Sequence, residues 1–284
     1  MGTEAQATSQ ADETSDGRLT YYEVPGPCPR QFFLFRPAVQ MAGAPLVVCV
    51  HGIARDPAAH ARRLIDYAER YGLSVVAPKF DKVHFGLYQQ LADPKTGVRS
   101  DIALLDIIDA ASRLTNADET KILLVGQSGG AQFAHRFAMV HPRRVISNIL
   151  IAAGWYTFPI EYEPYPFGLD TRATGVDFCF DMEGLATVRQ HVFVGELDTE
   201  RDNSLRRSKA IDRVQGRTRL ERAIRWVSAM GKRAERTREN APPTLSTLPG
   251  VGHSFSDPFW ATQLPALVFE RFAADAGLQP MAKS

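Results

Sequence analysis

Cysteine is scarce in this chain. Three of 284 residues, Cys28, Cys49 and Cys179, are too few and too irregularly spaced for a disulfide framework. Cys49 lies inside an apolar run and reads as a small buried hydrophobe. No His-x-x-x-His or Cys-x-x-Cys spacing occurs, so neither a metal site nor any other cofactor is expected. A run of eighteen apolar residues is also missing, which excludes a transmembrane helix. Charge of one sign does not accumulate: 33 Lys and Arg against 32 Asp and Glu leave a net charge of +1. That balance gives no electrostatic case for a nucleic acid or an anionic membrane as partner. Residues 1–17 hold no apolar stretch to serve as a signal-peptide core, and Gln6 stands where a myristoylation signal after Gly2 wants Ser or Thr. A soluble, cytoplasmic protein is expected, with residues 1–18 a disordered tail. At 44% hydrophobic and without internal repeats, residues 19–284 have enough apolar material for one large core and read as a single domain. Nothing in the sequence decides the oligomeric state, and a homo-oligomer stays open.

What the chain does have is concentrated at residues 121–130, KILLVGQSGG. Ile122 to Val125 read as a buried strand, and residues 131–140 carry apolar side chains at helical spacing. Between them Gly-x-Ser-x-Gly places Ser128 on a strand-to-helix turn. Such a turn strains the serine backbone and lifts its hydroxyl above the sheet edge. Gly126 and Gly130 are required sterically, because a side chain at either would meet the neighbouring strand or helix. The N-terminus of the following helix aims its positive end at the same place. Ser128 is therefore the candidate nucleophile.

A nucleophilic serine needs a base and a group to orient that base. Residues 190–199, QHVFVGELDT, run from an apolar strand into Gly195, Glu196 and Asp198; residues 244–254, TLSTLPGVGHS, run from another strand into a glycine-rich turn that presents His253. In the order Ser128, Asp198, His253, each after a predicted strand, the chain resembles the α/β-hydrolase superfamily, and more loosely its serine-esterase and polyester-depolymerase-like branches. The resemblance spans about Leu19 to Phe272. It implies a mostly parallel central sheet flanked by helices and a Ser-Asp-His triad. It also implies an oxyanion hole built from two backbone N–H groups. One comes from the residue after the nucleophile, Gly129. The other comes from the loop after the strand 45–51 (PLVVCVH), at Ile53 with Ala54 as the near alternative.

Two carboxylates compete with Asp198. Glu196 follows its strand too closely for the short turn that usually precedes the acid, and Asp257-Pro258 reads as an N-cap and first helical residue for the segment 259–272. Among the other histidines, His51 takes a structural role, while His60, His135, His141 and His191 fall in or beside predicted helices and strands. His84, in the loop after the strand 73–77, lies on the site's rim and is a candidate substrate contact.

The remaining pattern alternates strands and amphipathic helices, which implies right-handed crossovers and a parallel sheet. Residues 21–24 and 31–36 form an opening antiparallel pair. A helix over about 57–71 is marked by Asp56 as N-cap, Pro57 and the terminating Gly72, and another runs from about Ser100 to Leu114, capped by Ser100 or Asp101. Residues 154–189 interrupt the alternation after the sixth strand with an aromatic, proline-rich excursion. It reads as a lid or pocket wall. Trp155, Tyr156, Phe158 and Tyr165, with Tyr162 and Phe167, are its candidate substrate contacts, although each could simply pack the excursion. Residues 217–238 form a basic amphipathic stretch whose buried face is expected at Leu220, Ala223, Ile224, Val227 and Ala234, with the arginines largely outside.

The function expected is hydrolysis of small-molecule carboxylic esters through an acyl-enzyme on Ser128. The same machinery would serve an amide or peptide hydrolase or an acyltransferase, and a member of the fold without catalysis would only bind a ligand or partner.

Overall fold

The unbroken apolar runs of the sequence become the middle of one sheet. A computed structural model describes residues 8–11, 18–172, 174–237, 242–254 and 258–281. Its strands are β1 (Thr8–Ala11), β2 (Leu19–Val24), β3 (Arg30–Phe35), β4 (Pro45–Val50), β5 (Val75–Lys79), β6 (Asp118–Gln127), β7 (Val145–Ile151), β8 (Arg189–Gly195) and β9 (Thr244–Leu248). They lie in the order β1-β2-β3-β5-β4-β6-β7-β8-β9. Pairing is antiparallel from β1 to β5 and parallel from β5 through β4 to β9.

Parallel strands covered on both faces carry apolar residues at every position, and the period of two divides them between two cores. On β4, Leu46, Val48 and Val50 enter one core while Val47 and Cys49 enter the other; on β6, Ile122 and Leu124 part from Leu123 and Val125 in the same way. The described helices are α1 (Pro57–Arg62), α2 (Ile65–Tyr71), α3 (Ser100–Thr115), α4 (Gly129–Val140), α5 (Met182–Leu185), α6 (Lys209–Gln215), α7 (Arg219–Thr237), α8 (Pro258–Thr262) and α9 (Leu264–Ala276). The first core takes side chains from α3, α4, α5 and α7, the second from α1, α2 and α9. Among the described residues, no helix is long and apolar enough to cross a membrane.

Several local expectations are met and several corrected. Asp56 caps α1, accepting the Ala59 N–H at 2.9 Å, and Gly72 ends α2 in the left-handed conformation at φ 63°. The single helix expected there is two. The turn between them tightens through a Leu64 N–H to Ala61 O bond of 2.8 Å, which lets both Leu64 and Ile65 face the core. Neither Ser100 nor Asp101 caps α3. Ser100 donates to Tyr88 O at 2.9 Å, and Asp101 is buried between Arg99 and His141, at 2.6 and 2.8 Å. Within the segment expected to be disordered, residues 8–11 add strand β1 to the exposed edge of β2. Edge pairing uses backbone groups, so the polar sequence TSQA carries no hydropathy signal for it. Residues 1–7 and 12–17 lie outside the described residues, as does Asp257.

Helix α7 is rotated relative to its expected face. Ile224 is 46% exposed, whereas Arg219 and Arg222 are buried beside Ala223, Trp226, Met230 and Ala234. The two arginines go inside because acidic and carbonyl oxygens await them there: Arg219 meets Asp198 and Asp202, and Arg222 meets Asp212, Gly154 O and Gly216 O. A hydropathy pattern assigns every arginine to solvent and cannot see such partners.

Candidate active site

At the carboxyl ends of β4, β6, β8 and β9 the structure brings together the residues expected from the motifs. Ser128 sits at the tip of the β6–α4 turn with φ 51° and ψ −110°, a backbone conformation that L residues rarely adopt. The turn is closed by close backbone approach on both sides. A β-carbon on Gly126 would collide with Gly130 O, and one on Gly130 with Val50 O, so neither position admits a side chain. The Ser128 N–H bonds Ile151 O at 2.8 Å and its carbonyl accepts the Gln132 N–H at 3.1 Å, which ties the turn to β7 and to the first turn of α4.

His253 Nε2 lies 3.5 Å from Ser128 Oγ, at the outer edge of hydrogen-bond reach, and His253 Nδ1 lies 2.9 Å from Asp198 Oδ2. A carboxylate oxygen accepts, so Nδ1 carries the proton and Nε2 turns its lone pair toward the serine. Asp198 is buried, held by its own N–H to Gly195 O at 3.1 Å. Its second oxygen, Oδ1, receives Arg219 Nη1 at 3.3 Å. Glu196, the competing acid, is exposed and accepts the Gly250 N–H at 3.2 Å, which leaves Asp198 in contact with the imidazole.

The loop after β4 closes over the start of α4. A β-carbon on Gly129 would stand 3.2 Å from Ile53 N and 2.8 Å from Ile53 Cγ2, so the two expected oxyanion donors are neighbours. His51 is buried and structural. Its Nδ1–H donates to Gly52 O at 2.8 Å and its Nε2 accepts the Phe80 N–H at 3.1 Å, and burial pulls its pKa down to about 4. A second histidine, His60, accepts the Gly52 N–H at 3.3 Å and is pushed down to about 3, again by burial. His135 is buried between Ala131 O and the Thr157 N–H, His141 binds Asp101, and His191 binds Asp275 and Thr244.

Two residues that sequence reasoning missed build this loop. Tyr88 donates to His51 O at 2.9 Å, and its hydroxyl would stand 2.6 Å from a β-carbon on Gly129. Arg55, itself left-handed at φ 60°, spans the carbonyls of Phe80, Asp81, Phe85 and Gly86 and stacks on the Tyr88 ring at 4.9 Å. Neither has a motif; both are legible only once the loops 51–56 and 80–88 are known to touch. His84 belongs to the second of these loops, where its Nδ1 engages Asp81 Oδ2 at 3.0 Å.

The aromatic excursion is anchored rather than loose. Tyr156 is buried and stacks on Trp226 at 4.8 Å, Phe158 lies in the first core, and the Tyr165 hydroxyl donates to Gln90 O at 2.5 Å. Trp155 is buried under the Arg136 guanidinium at 4.2 Å, with Arg206 at 5.1 Å. Arg136 itself is fully buried, with no carboxylate partner among the described residues; it bonds Thr157 Oγ1, Gln89 O and Gln132 O, and burial lowers its pKa to about 10. These four rings are buried and packed against the domain; Tyr162 alone of the six is strongly exposed. Trp155→Ala and Tyr165→Ala are therefore expected to cost about 3–5 kcal/mol of folding stability each. The ratio of acetate to octanoate ester hydrolysis should stay unchanged, as melting curves and p-nitrophenyl ester assays would show. A tenfold change in that ratio at unchanged stability would return either ring to the substrate pocket.

Among the described residues, no three or more His, Cys, Asp or Glu side chains are gathered as a metal site. Solved structures share this fold. The chain superposes on a poly(aspartic acid) hydrolase from Sphingomonas sp. KT-1 with a TM-score of 0.72 at 21% identity, covering 94% of this chain and 100% of that one. It superposes on a poly(3-hydroxybutyrate) depolymerase from Bordetella parapertussis with a TM-score of 0.72 at 24% identity, covering 94% and 90%. An S-formylglutathione hydrolase from Agrobacterium tumefaciens follows at 0.60 and 14%, covering 95% and 99%. No protein-family model matches the chain, and no curated protein matches it in sequence. The chain has the α/β-hydrolase fold.

Proposed function

We propose that the protein is a serine hydrolase that cleaves carboxylic esters through an acyl-enzyme on Ser128. The observation that carries this reading is the relay from Ser128 Oγ through His253 to the buried Asp198, mounted on a turn that holds Ser128 at φ 51°. Ser128 Oγ attacks the ester carbonyl carbon while His253 Nε2 takes its proton, and Asp198 holds the imidazole in the productive tautomer and offsets its positive charge. The carbonyl oxygen becomes an oxyanion facing the N–H groups of Gly129 and Ile53. Losing one such donor typically costs about a hundredfold or more in rate. The tetrahedral species collapses, the proton passes from His253 to the leaving alkoxide, and the alcohol departs. Water then attacks the acyl carbon with His253 again as base, which returns Ser128 to its starting state.

Two large apolar side chains lie exposed beside this machinery: Ile53, at 43%, next to the oxyanion position, and Leu197, at 57%, directly before the acid. We assign them to the substrate's apolar portion, in place of the buried aromatics. The fold is shared with hydrolases whose names specify a poly(aspartic acid), a poly(3-hydroxybutyrate) and an S-formylglutathione, so the fold itself does not choose the substrate. A panel of p-nitrophenyl esters from acetate to octanoate, run beside the matching p-nitroanilides and with fluorophosphonate labelling, tests the reading. Ester turnover with covalent labelling is the expected result. Anilide turnover exceeding that of the matched ester would move the activity to amides, and neither turnover nor labelling would leave only ligand binding.

A further inference from the structure

The Asp198 carboxylate divides its two oxygens between two partners. Oδ2 faces His253, and Oδ1 receives Nη1 of Arg219, the first residue of α7, which is buried with it. Arg219 is in turn held from the far side. Asp202 takes its fork at 3.0 and 3.1 Å, and Ser204 Oγ accepts from Nη2 at 2.6 Å. A planar guanidinium locked this way fixes the plane of the carboxylate it touches. It also places a permanent cation one residue from the imidazole that must gain a proton during the reaction.

The geometry points to Arg219 as a positioning residue for the acid–histidine pair, one that holds Asp198 in plane and tempers the attraction between its carboxylate and the imidazolium formed during the reaction. This rests on the proposed roles of Ser128, His253 and Asp198. A cation beside the carboxylate offsets part of its charge, so the imidazolium gains less from Asp198 than it would from an unshared aspartate. Asp202 works in the opposite sense, because its own charge offsets that of Arg219.

Other charged and titratable groups among the described residues surround the pair. From the segment after β7 comes the buried Tyr156 phenol, held un-ionised by burial and then by the nearby charge of Asp198. One turn along α7, Arg222 pairs with Asp212 of α6 at 3.1 Å, and Arg201 takes the same carboxylate at 2.8 Å. Glu196, on the strand side, turns its carboxylate to the Gly250 N–H. Among the described residues, Arg219 is therefore the cation in direct contact with the acid.

The test is kcat/KM for p-nitrophenyl acetate from about pH 5 to 9 in the wild type and in Arg219→Gln, Arg219→Lys and Asp202→Asn. Arg219→Gln is expected to move the acid limb up by about one pH unit and to lower the plateau. Arg219→Lys should restore the position of the limb, since the charge returns, but not the plateau, since an ammonium does not reproduce the fork. Asp202→Asn should move the limb down. A limb that stays in place in all folded variants, with only melting temperature falling, would make Arg219 a structural strut and overturn the inference. If Arg219→Gln does not fold, Asp202→Asn decides by sign: a limb unmoved or moved upward overturns it. Wild-type labelling by a fluorophosphonate, lost in Ser128→Ala, is run alongside. Its absence would remove the triad reading itself, whereas its presence with a stationary limb would remove only the role of Arg219.

Discussion

Ser128→Ala is expected to lower ester kcat by about a millionfold, the scale on which removing a nucleophile collapses a serine hydrolase to the residual contribution of its binding groups. Fluorophosphonate labelling should vanish with it. The fold should persist, because the substitution deletes one oxygen that faces His253 at 3.5 Å and leaves the turn's backbone bonds to Ile151 and Gln132 intact. The strain at φ 51° adds a second readout. A non-glycine residue held there costs on the order of 1–3 kcal/mol, and alanine inherits that cost whereas glycine does not. Ser128→Gly should thus be as inactive as Ser128→Ala yet more stable, seen as a higher melting temperature. Wild-type turnover in either variant would remove Ser128 from the chemistry. Equal stability of the two would mean that the turn is not strained in solution.

The frame of the candidate site was legible because the chemistry proposed for it needs local patterns. Gly126 and Gly130 are written next to Ser128 for a steric reason that two β-carbons make plain. His253 and Asp198 follow strands at positions that no periodicity demands. The two-sided burial of β4 and β6 was legible in the same way, from continuous apolar runs. What was not legible depends on partners distant in sequence. Arg219 and Arg222 face inward because of Asp198, Asp202 and Asp212, and Asp101 leaves its helix end for Arg99 and His141. Tyr88 and Arg55 matter only because the loop 80–88 crosses the loop 51–56. The aromatics of 154–167 left two readings open for a related reason. Aromatic side chains serve a pocket or a core equally well, and the choice lies with α4 and α7, which supply Arg136 and Trp226 as their cover.

Asp198→Asn is expected to reduce kcat by about 10⁴-fold, and the arrangement around it explains how. An asparagine has one oxygen and one NH₂ where the aspartate has two acceptors. Arg219 can only donate, and it is fixed by Asp202 and Ser204, so the oxygen of the substituted amide is drawn to the Arg219 side. The NH₂ then faces His253 Nδ1 and forces that nitrogen to accept. The ring's remaining proton moves to Nε2, the atom 3.5 Å from Ser128 Oγ, where a base must have a free lone pair. The variant would hold its histidine in the wrong tautomer with little displacement of any heavy atom. Glu196→Gln, at an exposed carboxylate bonded to the Gly250 N–H, should change kcat by about twofold or less. Steady-state kinetics of both variants, with circular dichroism to verify folding, rank the two acids. A large loss in Glu196→Gln beside a mild one in Asp198→Asn would transfer the role to Glu196. Near-normal turnover in Asp198→Asn would mean that Arg219 does not dictate the amide's orientation and that His253 keeps its proton on Nδ1 without help from a carboxylate.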